Sequence, residues 1–228
     1  MELRPLQTGP YGVNTWIVPL TEKYCFVVDP AACVWCSDEK VIQQELARQN
    51  LEPVAIVLTH GHFDHIAGLS LIHQQWPDAP VLIHRGDSDY IGCGEHHNQN
   101  LSLHLLSMSN KAKYFEEMPA ASAFLEDSHT LDEYINVQDA KEAASEWTVL
   151  HTPGHSLGSV CLYNKNKNLL ISGDTVFYHS WGRTDLPGGS DLQMHESLKK
   201  IYRNLPKDTL VFPGHDFYGF MLKENLMG

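Results

Sequence analysis

Apolar, β-prone runs recur along the chain and stop abruptly at polar residues. Within residues 2 to 30, Val13–Pro19 and Lys23–Val28 predict antiparallel strands turning at Leu20-Thr21-Glu22. Ser37 to Asn50 reads as a helix, with Ser37 or Asp38 as its N-cap. Val54–Leu58 is a strand, Ala67–Trp76 a helix with Leu69, Ile72 and Trp76 on one side, and Pro80–His84 another strand. The first half thus alternates β, α, β, α, β, the pattern of a layered α/β fold. Residues 86 to 145 are less regular. Glu95 to Asn110 is polar, and Met108–Phe115 and Ala120–Leu125 carry helical composition. The stretch is too long for a simple connection, so a helical lid is expected over about residues 93 to 145 of a single domain spanning 1 to 228. Regular patterning returns with strands at Trp147–His151, Val160–Tyr163 and Leu169–Ser172, the last two a hairpin around Asn164–Asn168. A helix over Ser190–Asn204 and a strand over Thr209–Phe212 complete the pattern.

The residues at the strand ends carry the chemistry. Val54–Leu58 runs into Thr59-His60-Gly61-His62-Phe63-Asp64-His65, which puts three histidines and one aspartate within six positions. Imidazole and carboxylate suit zinc, iron or manganese. Three further strands end the same way: Trp147–His151 before Pro153-Gly154-His155-Ser156, Leu169–Ser172 before Gly173-Asp174-Thr175, and Thr209–Phe212 before Pro213-Gly214-His215. The glycines leave room for a tight turn against a metal. His60, His62, Asp64, His65, His155, Asp174 and His215 are too many ligands for one tetrahedral ion and about right for two ions sharing a carboxylate. Asp29, where Phe26-Val27-Val28 stops, reads either as a turn residue or as a group orienting a metal-bound histidine. His84, His73 and the His96-His97 pair are read as outside the ligand set.

Composition narrows the partners. The 228 residues suffice for a sizeable core, and 43% hydrophobic with 19% charged residues is ordinary for a globular protein. A net charge of −12 with no cluster of Lys and Arg disfavours nucleic acid. No apolar run reaches the roughly 18 to 20 residues of a membrane span, and Met1 to Pro5 lacks a signal-peptide pattern. A small-molecule substrate, no membrane partner and a cytoplasmic location are therefore expected. Five scattered cysteines do not form a disulfide framework, and Cys33-Val34-Trp35-Cys36 is either structural or a second metal or redox element.

His60-Gly61-His62-Phe63-Asp64-His65, with His155, Asp174 and His215 in their strand-end contexts, resembles the metallo-β-lactamase superfamily over about three quarters of the chain. The resemblance implies a four-layer αββα sandwich with the site at one edge of the sheets. It further implies His60, His62 and His155 around one metal, Asp64, His65 and His215 around a second, and Asp174 bridging. Phe177 to Ser190, with its Gly182-Arg183-Thr184-Asp185-Leu186-Pro187-Gly188 run, is similar to the glyoxalase II-like branch. By that similarity Arg183 is a candidate contact for a substrate carboxylate, although it could equally pair with Asp185 to brace the loop. The C-terminal helical extension of a glutathione thioesterase has no counterpart, since only Phe217 to Gly228 come after the last motif.

Two divalent ions, zinc expected and iron or manganese possible, can bring a bridging water close to ionisation at neutral pH. Such a hydroxide would attack a carbonyl carbon, with Asp64 orienting it or taking its proton. A thiolate leaves without a dedicated acid because a free thiol has a pKa of about 8.5, so a thioester of acyl-glutathione type fits; His179 is a weaker candidate for assistance. The alternatives are a mononuclear iron persulfide dioxygenase, a metallohydrolase of another small ester or lactone, and a non-hydrolytic metal-binding or redox-partner module. Ribonuclease action is disfavoured by the charge, and β-lactam hydrolysis by the absence of a signal peptide and by the Gly182-Arg183 loop.

Overall fold

A computed structural model describes residues 3–94 and 96–225. Met1, Glu2 and Glu95, which enter the readings of the N-terminus and of the polar 95–110 stretch, lie outside the described residues. The first sheet takes its strands in sequence order: β1 (Pro5–Thr8), β2 (Val13–Pro19), β3 (Tyr24–Val28), β4 (Glu52–Val57), β5 (Val81–His84) and β6 (Ala123–Leu125). β1 to β3 pair antiparallel, and β3 to β6 pair parallel through crossovers. The second sheet is built from β7 (Trp147–His151), β8 (Val160–Asn164), β9 (Leu169–Gly173), β12 (Leu210–Pro213) and β13 (Phe220–Met221), in the order β13-β12-β9-β8-β7. Between β9 and β12 the chain forms a small hairpin, β10 (Val176–Phe177) with β11 (Ser180–Trp181). The helices are α1 (Val41–Gln49), α2 (Phe63–Ile66), α3 (Leu69–Gln75), α4 (His97–Leu105), α5 (Gln138–Ala144) and α6 (Asp191–Asn204).

The near-continuous apolar strands have a physical cause: both faces of each central strand are buried. Along β3, Cys25 and Val27 pack outward with Ile42 and Leu46 of α1 and Leu69 and Ile72 of α3, while Phe26 and Val28 point to the other sheet. Along β8, Val160 and Leu162 meet them from the opposite side, and Cys161 and Tyr163 turn out against Met194, Leu198 and Ile201 of α6. The layers are therefore α, β, β, α, as the resemblance implied. Phe26 and Trp147 meet edge to face at 5.2 Å in the layer between the sheets.

Three local expectations fail. Ala120–Leu125 is not helical; Ala123–Leu125 is β6, paired in parallel with Leu82–His84. Alanine-rich composition favours helix weakly, but Ser122 donates its N–H to the Val81 carbonyl at 2.8 Å and its Oγ accepts from Val81 N–H at 3.0 Å, which docks the segment on the sheet edge. Nor does Ser37 or Asp38 cap α1. The helix starts at Val41, and the Asp38 carboxylate accepts from the Gly9 and Cys33 N–H groups, each at 2.7 Å. Met108–Phe115 contains a 3-10 segment over Ser109–Tyr114 rather than an α-helix.

Candidate metal centre

The ends of β4, β9 and β12 and the loop after β7 lie together. Val160 N–H donates to the Thr59 carbonyl at 2.8 Å, and Gly214 N–H donates to the Gly173 carbonyl at 2.8 Å. The first bond crosses the sandwich and the second joins neighbouring strand ends of the second sheet, and all seven predicted residues come to one place. His60 comes after β4, His62 sits at the N-terminus of α2, and Asp64 and His65 lie within it. Gly214 touches the Asp174 carboxylate and His65 so closely that a Cβ there would collide with both.

His60, His62 and His155 form one group of mutually close ligand atoms, and Asp64, His65 and His215 form another. His62 Nδ1 lies 2.8 Å from His155 Nε2, and His65 Nε2 lies 3.1 Å from His215 Nε2. Asp174 stands between the groups: Oδ1 is 3.3 Å from His65 Nε2, and Oδ2 is 3.5 Å from His155 Nε2 and 3.6 Å from His215 Nε2. Asp64 Oδ2 is 3.4 Å from His215 Nε2.

The outer ring nitrogens show how these rings are oriented. His155 Nδ1 donates to the Arg183 carbonyl at 2.7 Å, His65 Nδ1 to Asp29 Oδ2 at 2.9 Å, and His215 Nδ1 to the Tyr11 carbonyl at 3.3 Å. Thr59 gives its hydroxyl proton to Asp29 Oδ2 at 2.6 Å, so its oxygen accepts from His60 Nδ1 at 3.0 Å. Each bond leaves a lone pair on Nε2 facing inward, the arrangement of metal-ligating histidine. The two inward lone pairs of His65 and His215 repel unless a cation lies between them. His60 Nε2 and Asp174 Oδ1, which face into the site, are buried without a hydrogen-bond partner. A divalent cation in each group satisfies these atoms, so the residues fit a pair of metal ions.

Electrostatics agrees with that fit. Burial and the surrounding imidazoles push His60 well below its ordinary pKa, and burial with His155 pushes His62 down to about 3, which keeps both rings neutral. Burial alone would raise Asp174, yet His65, His215 and His155 hold it well below the carboxylate range. For His65, burial is outweighed by Asp174, Asp64 and Asp29, which raise its pKa and mark a pocket of negative charge that favours a cation.

Asp29 thus resolves in favour of orientation: it reaches His65 directly and His60 through Thr59, and it also accepts Thr59 N–H at 2.7 Å. Arg183 contributes in two ways. Its carbonyl holds His155, and its half-exposed guanidinium pairs with Asp185 at 2.7 and 2.8 Å. His179 lies outside the cleft, in a separate recess with Trp181, His195 and Tyr202. His96 is buried with both ring nitrogens on backbone carbonyls, of Asp89 and Gly92, and His84 stacks on His151 at 3.8 Å. Cys33 and Cys36 are free thiols on a 3-10 turn and belong to no metal-ligand group among the described residues. Asp87 escaped sequence reasoning. It is wholly buried just beyond β5 and bonded to the loops of His60–His62 and His155. The strand-end signal that exposed the other sites also marks β5, three residues before it.

The groups sit at the foot of a cleft of about 470 Å³, whose walls include Tyr11, Phe63, Leu106, Phe177 and Leu186. Two facing sheets that present a pair of His/Asp clusters at their strand ends, below an open cleft, define a metal-dependent hydrolase with candidate dinuclear metal-binding triads. The chain belongs to the metallo-beta-lactamase superfamily, whose pattern matches residues 8–215. It is 30% identical over 215 residues to a probable metallo-hydrolase of Bacillus subtilis (strain 168), covering 94% of this chain and 90% of that one. It is 29% identical over 202 residues to a hydroxyacylglutathione hydrolase of Pectobacterium carotovorum, covering 89% of this chain but only 61% of the longer relative. Among solved structures, the BLEG-1 B3 metallo-beta-lactamase superposes with a TM-score of 0.80 at 26% identity, over 99% of this chain and 96% of that one. Among the described residues, no helix is long and apolar enough to cross a membrane.

Proposed function

We propose that the protein hydrolyses a small acyl thioester, of the acyl-glutathione class, with two divalent ions, zinc first among them. His60, His62 and His155 would hold one ion, Asp64, His65 and His215 the other, and Asp174 would bridge. When bound, the ions make water acidic enough to attack near neutral pH and draw charge off the substrate carbonyl. Asp64, lining the cleft, accepts the proton as water adds to the carbonyl carbon. Phe63, Leu106, Phe177 and Leu186 shield the acyl group from bulk water.

One observation carries the thioester reading. Outside the two triads and Asp174, the ionisable groups lining the cleft are Tyr11, Arg183 and Asp216; the Tyr11 hydroxyl already bonds Met108 Sδ at 3.3 Å and Arg183 is paired with Asp185. A leaving group that departs as its anion suits such a cleft, and a thiolate, with a parent pKa of about 8.5, does so far more readily than an alkoxide. The likeness to hydroxyacylglutathione hydrolase supports the same class. An exposed Arg–Asp pair contributes at most about 1 kcal/mol, so a substrate carboxylate can compete with Asp185 for Arg183. The test is a panel of S-lactoylglutathione, simple acyl thioesters, matched oxyesters, a lactone and a β-lactam with metal-loaded protein. Thioesters should turn over fastest. Oxyester or β-lactam preference, or oxygen uptake with glutathione persulfide in place of hydrolysis, would sink the proposal.

A further inference from the structure

Asp87 is a carboxylate with no exposed surface. Its three hydrogen bonds all come from the loops that carry His60, His62 and His155. Oδ2 accepts from Gly61 N–H at 2.8 Å and from Ser156 Oγ–H at 2.6 Å, and Oδ1 accepts from Gly158 N–H at 2.7 Å. Gly61 separates His60 from His62, and Ser156 is the residue after His155. One buried side chain therefore ties together two loops whose histidines stand 93 positions apart in sequence. Charge-assisted bonds of this kind are short and strong compared with neutral ones.

The neighbouring segment completes the grip. Gln99 Nε2 donates to the Gly61 carbonyl at 3.3 Å, so both polar ends of that residue are held by side chains from 87–99. The Tyr90 ring stands edge-on to His62 at 5.8 Å and lies against Gly61, where a Cβ would meet it at 2.5 Å. The Asp64, His65 and His215 group receives none of the bonds Asp87 makes; it is held by Asp29, by the Tyr11 carbonyl and by Asn14, which donates to the Pro213 and Asp216 carbonyls at 3.1 and 3.2 Å.

We propose that Asp87 is a positioning residue that sets the spacing of His60, His62 and His155, and with it the metal affinity of that triad alone. The inference rests on the two-ion reading of the site. An amide at this position would show how the link works. Asn keeps one accepting oxygen but turns an NH₂ toward a donor: at the Oδ1 position it faces Gly158 N–H and loosens the His155 loop, and at the Oδ2 position it faces Gly61 N–H and frees the His60–His62 loop.

The experiment measures zinc affinity and stoichiometry of chelator-stripped protein by competition with a chromophoric chelator. Two single-triad backgrounds separate the sites: His215→Ala retains the first triad, and His62→Ala retains the second. Wild type should take up two equivalents. Asp87→Asn should weaken zinc about 10- to 100-fold in the His215→Ala background and leave the His62→Ala background unchanged. Ser156→Ala, which removes one of the three bonds and keeps the carboxylate, should shift the same background in the same direction by less, and it serves if Asp87→Asn does not fold. Equal weakening in both backgrounds, or none in either with the fold intact by circular dichroism, overturns the assignment of Asp87. A wild type that binds fewer than two equivalents overturns the two-ion reading and this inference together.

Discussion

The two triads are held by different parts of the molecule. His65 and His215 lean on residues in or next to the first sheet: Asp29 directly after β3, Tyr11 in the turn before β2 and Asn14 within β2. His62 and His155 lean on residues outside the main sheets: Asp87 after β5, and the Arg183 carbonyl beyond the β10–β11 hairpin. Each half is organised around one buried carboxylate accepting three hydrogen bonds, Asp29 in the first case and Asp87 in the second. The same device thus reaches the site from two directions. A histidine ligand is only as well placed as the group on its far nitrogen. Asn14 lies in the β-ladder and Asp29 N–H extends it to the Val57 carbonyl at 3.0 Å, while the other half depends on the segments after β5 and β11.

This contrast can be broken at several levels. Asp174 faces both halves, so Asp174→Ala should be the most damaging change, lowering kcat/KM by about a thousandfold, or roughly 4 kcal/mol, and cutting bound metal measured by elemental analysis. Chelation of the wild type should abolish turnover and re-addition of zinc restore it; full activity in the stripped protein would refute metal dependence. Next in size is Asp29→Asn, the counterpart of the Asp87 variant. It should weaken zinc about 10- to 100-fold at the second triad, with a smaller effect at His60 through Thr59. If it weakened only the first triad, the division between the two halves would be wrong. Arg183→Ala should raise KM about tenfold for thioesters that carry a carboxylate, leave neutral thioesters unaffected and leave metal content intact, because the carbonyl on His155 remains. Asp185→Ala should act least, lowering KM for acidic substrates a few-fold as the guanidinium is released. A rise in KM there would mean that the pair positions Arg183 for substrate.

Most of this architecture could be read from the chain because the signal was local. Val54–Leu58, Leu169–Ser172 and Thr209–Phe212 are apolar enough to be buried strands, and each runs at once into a metal-binding motif. Ala120–Leu125 misled because its alanine content speaks for helix while its true state is decided by pairing with a strand some forty residues earlier (Val81 with Ser122, 41 apart). Asp38 reads as a helix cap and instead bonds Gly9 and Cys33, again a partnership set by the fold. Asp87 could not be found from its own surroundings, since its three donors lie 26, 69 and 71 positions away. Arg183 pairs with Asp185, one of its two sequence readings, but the role of its carbonyl is invisible in a residue's identity.

That carbonyl separates two properties that usually change together. A backbone oxygen is present whatever side chain occupies position 183, so the bond to His155 survives substitution provided the loop keeps its course. The neighbouring Gly182 fixes that course, since a Cβ there would collide with the Asp174 carbonyl. Libraries varied at Arg183 and Leu186, with Gly182 held constant, should therefore explore new substrates on an unchanged metal site, and the loop offers a place to redesign selectivity without rebuilding the chemistry.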